Sequence, residues 1–334
     1  MIHSGNTSQL TFGIYPGGVA GTQTGLTKGP PDDPAQIKLA LDGLQAAGRP
    51  LLVRVYKHFS RSPLAAAHDD HPEDVTQYLS DGRQLDLVLC FRDSSEDLTD
   101  WLSFIRDKLG LYGKQLAKIQ ITEEPNLATA PGSADGGFPH VRKALVQGVV
   151  AAKEESRRLG LDVQVGFNAV PTFNPADDFW PDIAALGQQP FLDALDYVGL
   201  DCYPDVFRPF SPGNHLEKMR DAITFLLTNL RRVNLAAGKI PDSVPIHITE
   251  NGWPTGEGRA PETQATVLEA IVRAVYAQRT AFNVTHYELF ALRDGNSANP
   301  DLFHQFGILR DDYSPKPAFE AYRKLIAELG AANP

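Results

Sequence analysis

Two glutamates stand at equivalent points in the chain, each between a short apolar run and a Pro-containing loop. Residues 119–126 read Ile-Gln-Ile-Thr-Glu-Glu-Pro-Asn, and residues 246–254 read Ile-His-Ile-Thr-Glu-Asn-Gly-Trp-Pro. Hydrolysis of a glycosidic bond needs two carboxyl groups, one protonated beside the leaving oxygen and one ionised beside the anomeric carbon. In enzymes that retain the anomeric configuration these groups lie about 5 Å apart. The pattern therefore predicts this chemistry for Glu124 as acid/base and Glu250 as nucleophile, provided that the fold brings both glutamates together.

Eight runs rich in apolar and β-branched residues predict the strands that would position these carboxyl groups. Most of the runs are continuously apolar, as expected for strands that are covered on both faces. They are Leu10–Tyr15, Leu51–Tyr56, Leu85–Phe91, Ala117–Thr122, Val163–Asn168, Ala194–Leu200, Val244–Thr249 and Val284–Phe290. Segments with helical spacing lie between them, and these are Asp33–Ala47, Asp97–Leu109, Val141–Leu159, Leu216–Val233, Thr263–Gln278 and Ala318–Leu329.

This alternation of strands and helices predicts a single (β/α)8 barrel domain over residues 1–334. The repeating order implies a parallel sheet, and the length of 334 residues suits one barrel with loop insertions. An open doubly wound sheet would instead need a Gly-rich phosphate loop after its first strand. Gly17–Gly21 lacks the spacing of such a loop. In a closed barrel the active site lies at the C-terminal ends of the strands, where Glu124 and Glu250 are expected.

The two glutamate segments resemble the catalytic motifs of clan A glycoside hydrolases, which are retaining glycosidases on this barrel. Thr-Glu-Glu-Pro-Asn at 122–126 is similar to the Asn-Glu-Pro signature that carries the clan's acid/base at the end of the fourth strand. Ile-Thr-Glu-Asn-Gly-Trp-Pro at 248–254 is similar to the nucleophile motifs of family 1 β-glycosidases and family 17 β-1,3-glucanases. The resemblance follows the strand order over essentially the whole chain. It implies a β-linked carbohydrate substrate and no metal or organic cofactor.

One residue departs from the clan pattern, because Glu123 stands where the clan has an Asn that contacts the sugar's 2-hydroxyl. A carboxylate accepts a hydrogen bond there but donates one only when it is protonated. Adjacent ionised carboxylates raise each other's pKa, so Glu123 could help to keep Glu124 protonated. Alternatively, it indicates that the substrate contains an unusual sugar. Neighbours on a strand point in opposite directions. Alignment on the Glu-Pro step favours Glu124 as the acid/base, and Glu123 stays open as the alternative.

Three further residues are candidates to support the carboxyl groups. Arg54 is a charge inside an apolar run of the second strand, and it resembles the clan's arginine that holds the nucleophile. Its alternative interpretation is a structural ion pair at the barrel rim. Tyr203, before Pro204, is expected to donate its hydroxyl to Glu250 or else to be a core tyrosine. Asp201 would share the face of Tyr203 because side chains alternate with a period of two, and it is a candidate for substrate binding.

Residues at other strand ends are candidates to bind the sugar. The rings of Tyr15, Trp253 and Phe290 fall at strand ends or in the loops that follow, where they could stack on the C–H faces of a sugar. Asn168 and Glu288 are polar groups at the ends of the fifth and eighth strands, and they could bind hydroxyl groups. The clan often has a Trp near the end of its eighth strand, so Phe290 would have to take its place.

Composition and motif searches exclude several other classes of protein. The formal net charge of −10 and the lack of a basic patch disfavour a nucleic-acid partner. No apolar stretch approaches the roughly 20 residues that span a bilayer. The first strand lacks the His-x-His of metal hydrolases on this fold, and His68–His71 is interpreted as a solvated loop. No Gly-x-Ser-x-Gly motif indicates acyl transfer.

The cysteines and the N-terminus give indications of the cellular compartment of the protein. Cys90 and Cys202 lie inside apolar runs and are expected to be reduced core residues. The N-terminus has no basic region followed by an apolar one. We therefore expect a cytoplasmic protein, or a secreted one if a leader has been removed.

Taken together, the residues and the resemblance predict hydrolysis of β-linked glycosides, oligosaccharides or polysaccharides with retention, without a cofactor. The partial family 17 match points to β-1,3-glucan. Two alternatives stay open: transglycosylation through the same covalent intermediate, and a catalytically impaired carbohydrate-binding barrel. The sugar, exo or endo action and the oligomeric state are not fixed by these patterns.

Overall fold

The computed structural model is described over residues 9–22, 25–27, 29–46, 49–62, 75–80, 82–130, 132–211 and 213–332. Within them eight parallel strands pair in chain order, and β1 pairs with β8 to close a barrel. The strands are β1 (Thr11–Ile14), β2 (Leu51–Phe59), β3 (Arg83–Phe91), β4 (Leu116–Ile121), β5 (Gln164–Ala169), β6 (Tyr197–Asp201), β7 (Ile246–Asn251) and β8 (Val284–Leu289). The predicted (β/α)8 fold is confirmed, and every strand overlaps its predicted range.

Helices cover the outside of the barrel and bury the outward-facing apolar side chains of the strands. They are α1 (Pro34–Leu44), α2 (Thr99–Tyr112), α3 (Val141–Leu159), α4 (Phe179–Ala194), α5 (His215–Asn229), α6 (Pro261–Phe282) and α7 (Pro317–Leu329). A π-helical turn (Leu230–Asn234) and a short helix (Leu235–Ala237) extend α5. Between β2 and β3 the described residues include the 3₁₀ turn Thr76–Tyr78, whereas His68–His71 lies outside the described residues.

Local sequence signals account for several helix ends. The Asp33 side chain accepts hydrogen bonds from the backbone N–H groups of Ala35 and Gln36 at 2.9 and 3.2 Å, and Pro34 opens α1, where a missing N–H costs nothing. The predicted end of this helix at Ala47 lies outside the described residues. Gly160 ends α3 with φ of 65°, a left-handed conformation that glycine adopts without strain.

The helix α4 was missed by the sequence analysis. Its sequence contains Pro181, Gly187 and Pro190, which disfavour helix in an isolated chain. The helix is also interrupted at Gln188, where φ is 49°. Trp180 lies in the first turn of α4 and is 1% exposed. Packing against the barrel overrides the weak helical propensity.

The inside of the barrel contains buried charges rather than aliphatic side chains alone. Arg54 on β2 donates from Nη1 to Asp86 Oδ2 on β3 at 2.6 Å. Lys118 on β4 donates from Nζ to Glu288 Oε1 on β8 and lies 3.4 Å from Asp86 Oδ2. Buried ions are tolerated when partners of opposite charge surround them. This network connects four strands beneath the carboxyl ends of the barrel.

Two smaller predictions concern the cysteines and membrane spans. Cys90 and Cys202 are both free and buried, which confirms that they are reduced core residues. Of the helices in the described part of the chain, none combines the length and the apolar character that crossing a membrane requires.

Candidate active site

A cavity of about 720 Å³ opens at the carboxyl ends of the strands. Its wall includes seven of the eleven site residues that the sequence predicts, and these are Tyr15, Glu123, Glu124, Asp201, Tyr203, Glu250 and Phe290. The carboxyl groups lie at its floor, and aromatic side chains form much of its mouth. The ends of β4 and β7 therefore face one shared space, as the sequence predicts.

Glu250 at the end of β7 is held by donors from β2 and from the segment that follows β6. Tyr203 donates its hydroxyl to Glu250 Oε2 at 2.6 Å, as predicted. Tyr56 donates its hydroxyl to Glu250 Oε1, and Arg54 Nε lies 3.5 Å from the same oxygen. Charge-assisted donors of this kind favour the ionised carboxylate and fix its orientation. The residue is 8% exposed, and its carboxylate faces the cavity.

Arg54 connects the nucleophile candidate to the rest of the floor. Its Nε donates to the Tyr56 hydroxyl at 2.8 Å, and its Nη2 donates to Gln120 Oε1 at 3.0 Å and to Glu123 Oε2 at 3.4 Å. Burial acts to lower the pKa of this guanidinium, but the surrounding acidic groups hold it well above the usual value. Arg54 thus remains a cation in a site where it is 1% exposed.

Glu123 is almost fully buried, and one edge of its carboxylate is bound. Its Oε2 accepts hydrogen bonds from Gln120 Nε2 at 2.7 Å and Asn168 Nδ2 at 3.2 Å, besides the contact from Arg54. Its backbone N–H donates to Asp135 Oδ2 at 2.8 Å. Burial first, and then the charge of Glu250, raise the pKa of Glu123 well above its ordinary value.

Glu124 has a different environment from its neighbour. Its backbone is in a left-handed conformation with φ of 42°, and its N–H donates to Asn168 Oδ1 at 2.8 Å. The side chain lines the cavity, is partly exposed, and accepts no hydrogen bond from any residue that the structure describes. Burial first, then the charges of Asp201 and Glu250, raise the pKa of Glu124 well above its ordinary value. A carboxyl that holds its proton suits a general acid.

Asp201 completes a group of closely spaced carboxylates. It accepts hydrogen bonds from Thr249 Oγ1 at 2.6 Å and from Asn168 Nδ2. One carboxylate oxygen from each of Glu123, Asp201 and Glu250 lies within 4.8 Å of the other two. This trio has the spacing of a cation site, although Arg54 already supplies positive charge to it. Burial first, and then the charge of Glu250, raise the pKa of Asp201 well above its ordinary value.

Aromatic rings form two walls above the carboxylates. Tyr15 stacks on Phe290 with ring centroids 5.0 Å apart, and its ring meets Tyr56 edge-on at 5.4 Å. At the opposite rim Phe173 stacks on Phe225 at 5.3 Å, and both rings are exposed. The other phenylalanines of the wall are Phe207, Phe210, Phe303 and Phe306. Such walls suit the apolar faces of sugars or of apolar leaving groups.

Two predicted substrate-binding residues lie away from the cavity. Trp253 is 5% exposed and does not belong to the cavity wall. Its indole N–H donates to Asp205 Oδ2 at 3.1 Å, and the Arg259 guanidinium lies 4.3 Å from the centroid of its ring. Glu288 is fully buried inside the barrel, where it pairs with Lys118. Burial first, and then the charge of Asp86, raise the pKa of Glu288 to about 8. Neither residue is placed to bind a sugar directly.

Arg54 and Asn168 occupy a supporting position. Both are buried, both lie outside the wall of the cavity, and both hold the carboxylates from beneath. For Asn168 this corrects the expectation that it binds hydroxyl groups, since its amide is shared between Glu123, Asp201 and the Glu124 backbone.

Three residues of the site were missed by the sequence analysis. Tyr56 lies two residues after Arg54, so the period of two along β2 could have placed it on the same face. Gln120 likewise lies two residues after Lys118 in β4, so the same period could have placed both on the inward face. Asp135 lies in a Gly-rich loop, where it accepts from the backbone N–H groups of Glu123 and Phe91 and pairs with Arg92 at 2.8 Å. The local sequence carries no signal for its role.

Comparison with known proteins relates this geometry to glycosidases of the same fold. No protein-family profile and no curated protein sequence matches the chain. A solved β-glucosidase from Thermotoga maritima in complex with deoxynojirimycin superposes with a TM-score of 0.60 at 13% identity, covering 89% of this chain and 87% of that one. A β-glucosidase from Exiguobacterium marinum superposes with a TM-score of 0.59 at 14% identity, covering 99% and 100%.

A third solved structure, a family 1 β-glucosidase from Thermotoga maritima in complex with isofagomine lactam, has a TM-score of 0.60 at 14% identity, covering 89% of this chain and 87% of that one. The chain therefore shares its barrel fold with family 1 β-glucosidases. At these identities the likeness concerns the course of the backbone, so the chemistry has to be argued from the residues of the cavity.

Proposed function

We propose that this protein hydrolyses β-linked glycosides with retention of anomeric configuration, with Glu250 as nucleophile and Glu124 as acid/base. One observation carries the proposal. Glu250, held by Tyr203, Tyr56 and Arg54, faces the same cavity as the unbound carboxyl of Glu124. The motif resemblance and the fold shared with β-glucosidases support the same activity. They also favour a β-glucoside-like substrate.

The reaction balances with these two groups and water. In the first step a Glu250 oxygen bonds to the anomeric carbon, the glycosidic C–O bond breaks, and the leaving oxygen takes the proton of Glu124. In the second step the ionised Glu124 takes a proton from water while the water oxygen bonds to the anomeric carbon. The bond between the anomeric carbon and Glu250 breaks in the same step, so Glu250 leaves as a carboxylate and the sugar is released with its original configuration.

The surroundings of each carboxyl suit these two roles. Glu250 must be ionised and aimed, which the Tyr203 hydroxyl and the Arg54 guanidinium favour by donating to or attracting its oxygens. Glu124 must hold a proton and then accept one, which its raised pKa and unbound oxygens favour. Glu123 is the weaker candidate for the acid, since its Oε2 is fixed by Gln120, Asn168 and Arg54.

The leaving group would lie toward the mouth of the cavity. There the exposed rings of Phe173, Phe207 and Phe225 offer apolar faces, while hydrogen-bonding groups concentrate at the floor. Aryl β-glycosides are therefore suitable first substrates, because the ring of the leaving group can stack on these walls.

The test is turnover of 4-nitrophenyl β-glycosides and of β-linked glucans by the wild type, Glu250→Gln and Glu124→Gln. We expect release of nitrophenol by the wild type, with loss in both variants. A carbohydrate-binding barrel without activity would bind sugars equally in all three proteins and turn over none, which would contradict the proposal. Analysis of products at high sugar concentration separates transfer to a sugar acceptor from transfer to water.

A further inference from the structure

The floor of the cavity carries more carboxyl groups than the proposed reaction requires. Hydrolysis uses Glu124 and Glu250, yet Glu123 and Asp201 also line the same space. Of these four carboxyl groups, only Glu123 and Glu250 contact the guanidinium of Arg54, at 3.4 and 3.5 Å, and Arg54 is itself paired with Asp86 at 2.6 Å. Buried acidic groups of this density call for positive charge from a bound molecule or for protons.

Glu123 has an acceptor that the protein leaves unfilled. Its Oε2 accepts from Gln120 at 2.7 Å and from Asn168 at 3.2 Å, whereas its Oε1 accepts no hydrogen bond from the described part of the chain. The residue is 5% exposed and belongs to the cavity wall. A buried carboxylate that is fixed on one edge and open on the other is a preorganised acceptor for a donor on the substrate.

The distance of the Glu123 carboxylate from Glu250 indicates which part of the sugar it would reach. Glu250 would bond to the anomeric carbon, and one oxygen each of Glu123 and Asp201 lies within 4.8 Å of a Glu250 oxygen and of each other. A substituent on the ring carbon next to the anomeric one lies directly beside the attacking oxygen. Because the carboxylates of Glu123 and Asp201 lie within 4.8 Å of Glu250, such a substituent would lie close to both.

We propose that this substituent is an ammonium group, so that the substrate is a β-glycoside of a 2-amino-2-deoxy sugar. The proposal rests on the function proposed above. An ammonium carries three donors and a full positive charge, whereas a hydroxyl offers one donor and no charge. The ammonium fills the open Glu123 oxygen and offsets the surplus charge of the floor. An N-acetylated amine is neutral and larger, so it lacks this advantage.

The pKa shifts of the carboxyl groups at the floor agree with this assignment. Burial first, and then the Glu250 charge, raise the pKa of both Glu123 and Asp201 well above their ordinary values. A cation bound among these groups favours their ionised forms, because an opposite charge within about 4–6 Å lowers a carboxyl pKa. The amino sugar would thus supply positive charge to these carboxylates in addition to that of Arg54.

The test compares kcat/KM for the 4-nitrophenyl β-glycosides of glucosamine, glucose and N-acetylglucosamine in the wild type, Glu123→Gln and a matched control, Glu257→Gln. Glu257 is an exposed residue of the loop after β7. We expect the wild type and the control to prefer the glucosaminide over the glucoside by at least tenfold. Glu123→Gln, which keeps the shape and loses the charge, should lower this ratio on the order of a hundredfold.

Inhibition of the wild type provides a measurement that does not depend on the folding of a variant. Glucosamine should inhibit more strongly than glucose at the same pH. Wild-type turnover of the glucoside with no preference for the glucosaminide would overturn the inference and leave the proposed function intact. Turnover of none of the three substrates would remove both. A divalent cation that raises glucoside turnover and abolishes the preference would show that the carboxylates hold a metal, which also overturns the inference.

Discussion

The ends of β4 and β7 both place a glutamate in the cavity, yet they treat its carboxyl group in opposite ways. Glu250 is surrounded by donors, with Tyr203 and Tyr56 bonded to its two oxygens and Arg54 close to one of them. Glu124 accepts no hydrogen bond from the described residues, and its pKa is raised by burial and by neighbouring carboxylates. The surroundings, rather than the residue type, therefore divide the two roles: donors stabilise the ionised form of a carboxyl group, and their lack favours the protonated form.

The largest effect is expected where the bond to the sugar would form. Glu250→Gln keeps the shape of the side chain and removes the attacking oxygen's charge. We expect kcat to fall roughly 10⁵- to 10⁶-fold, the scale that follows loss of a covalent nucleophile. Steady-state kinetics with a nitrophenyl glycoside measures it. A loss of less than a hundredfold would mean that Glu250 is not the nucleophile.

The next effect concerns the acid, and it should depend on the leaving group. Glu124→Gln should lower kcat by about 10²- to 10⁴-fold for an alkyl or sugar leaving group, which needs a proton. For a dinitrophenyl glycoside the rate of the first step should fall much less, because the dinitrophenolate that leaves is stable without a proton. An equal loss on both substrates would indicate that Glu124 acts through structure rather than through proton transfer. The same pair of substrates tested on Glu123→Gln decides between the two adjacent glutamates.

A smaller effect is expected from removing one donor to the nucleophile. Tyr203→Phe deletes the 2.6 Å hydrogen bond to Glu250 Oε2 while the ring and the Tyr56 contact remain. Hydrogen bonds to charged groups contribute about 1.5–3 kcal/mol, which corresponds to about 10- to 100-fold in kcat. Unchanged kcat at every pH would show that Tyr203 is only a core residue.

The smallest expected effect is a shift of the pH profile. Glu124 must be protonated to act as the acid, so activity is lost as pH rises through its pKa. Burial is the first cause that raises this pKa, and the charge of Asp201 is the second. Asp201→Asn removes that charge, lowers the pKa of Glu124, and should move the alkaline limb of kcat/KM to lower pH. Asp242→Asn, at an exposed site, is the control. A shift of the alkaline limb to higher pH in Asp201→Asn would contradict the prediction.

The sequence was informative where periodicity and motif carry the structure. The apolar runs predict all eight strands because buried parallel strands need apolar side chains on both faces. The paired glutamates and Arg54 are visible as polar residues that interrupt or end such runs. Tyr203 was assigned to Glu250 from a short motif, and the 2.6 Å contact agrees with that assignment.

The sequence was less informative where position depends on depth along a strand or on loop packing. Glu288 lies at a strand end in the sequence, but its depth in the barrel places it beside Lys118 rather than in the cavity. Trp253 follows Glu250 closely, yet the loop turns its ring toward Asp205. Asp135 supports Glu123 from a loop whose path no local pattern predicts. These are tertiary contacts between segments that are distant in the chain or differently oriented.

The division of roles between the two strand ends is tested most directly by azide rescue of alanine variants. Azide fits the space left by a removed carboxylate and needs no proton to attack. With Glu250→Ala we expect a glycosyl azide of inverted, α configuration, because azide replaces the nucleophile. With Glu124→Ala we expect the retained, β-configured azide, because azide attacks the covalent Glu250 intermediate. The same anomer from both variants, or the two anomers exchanged, would contradict the assignment.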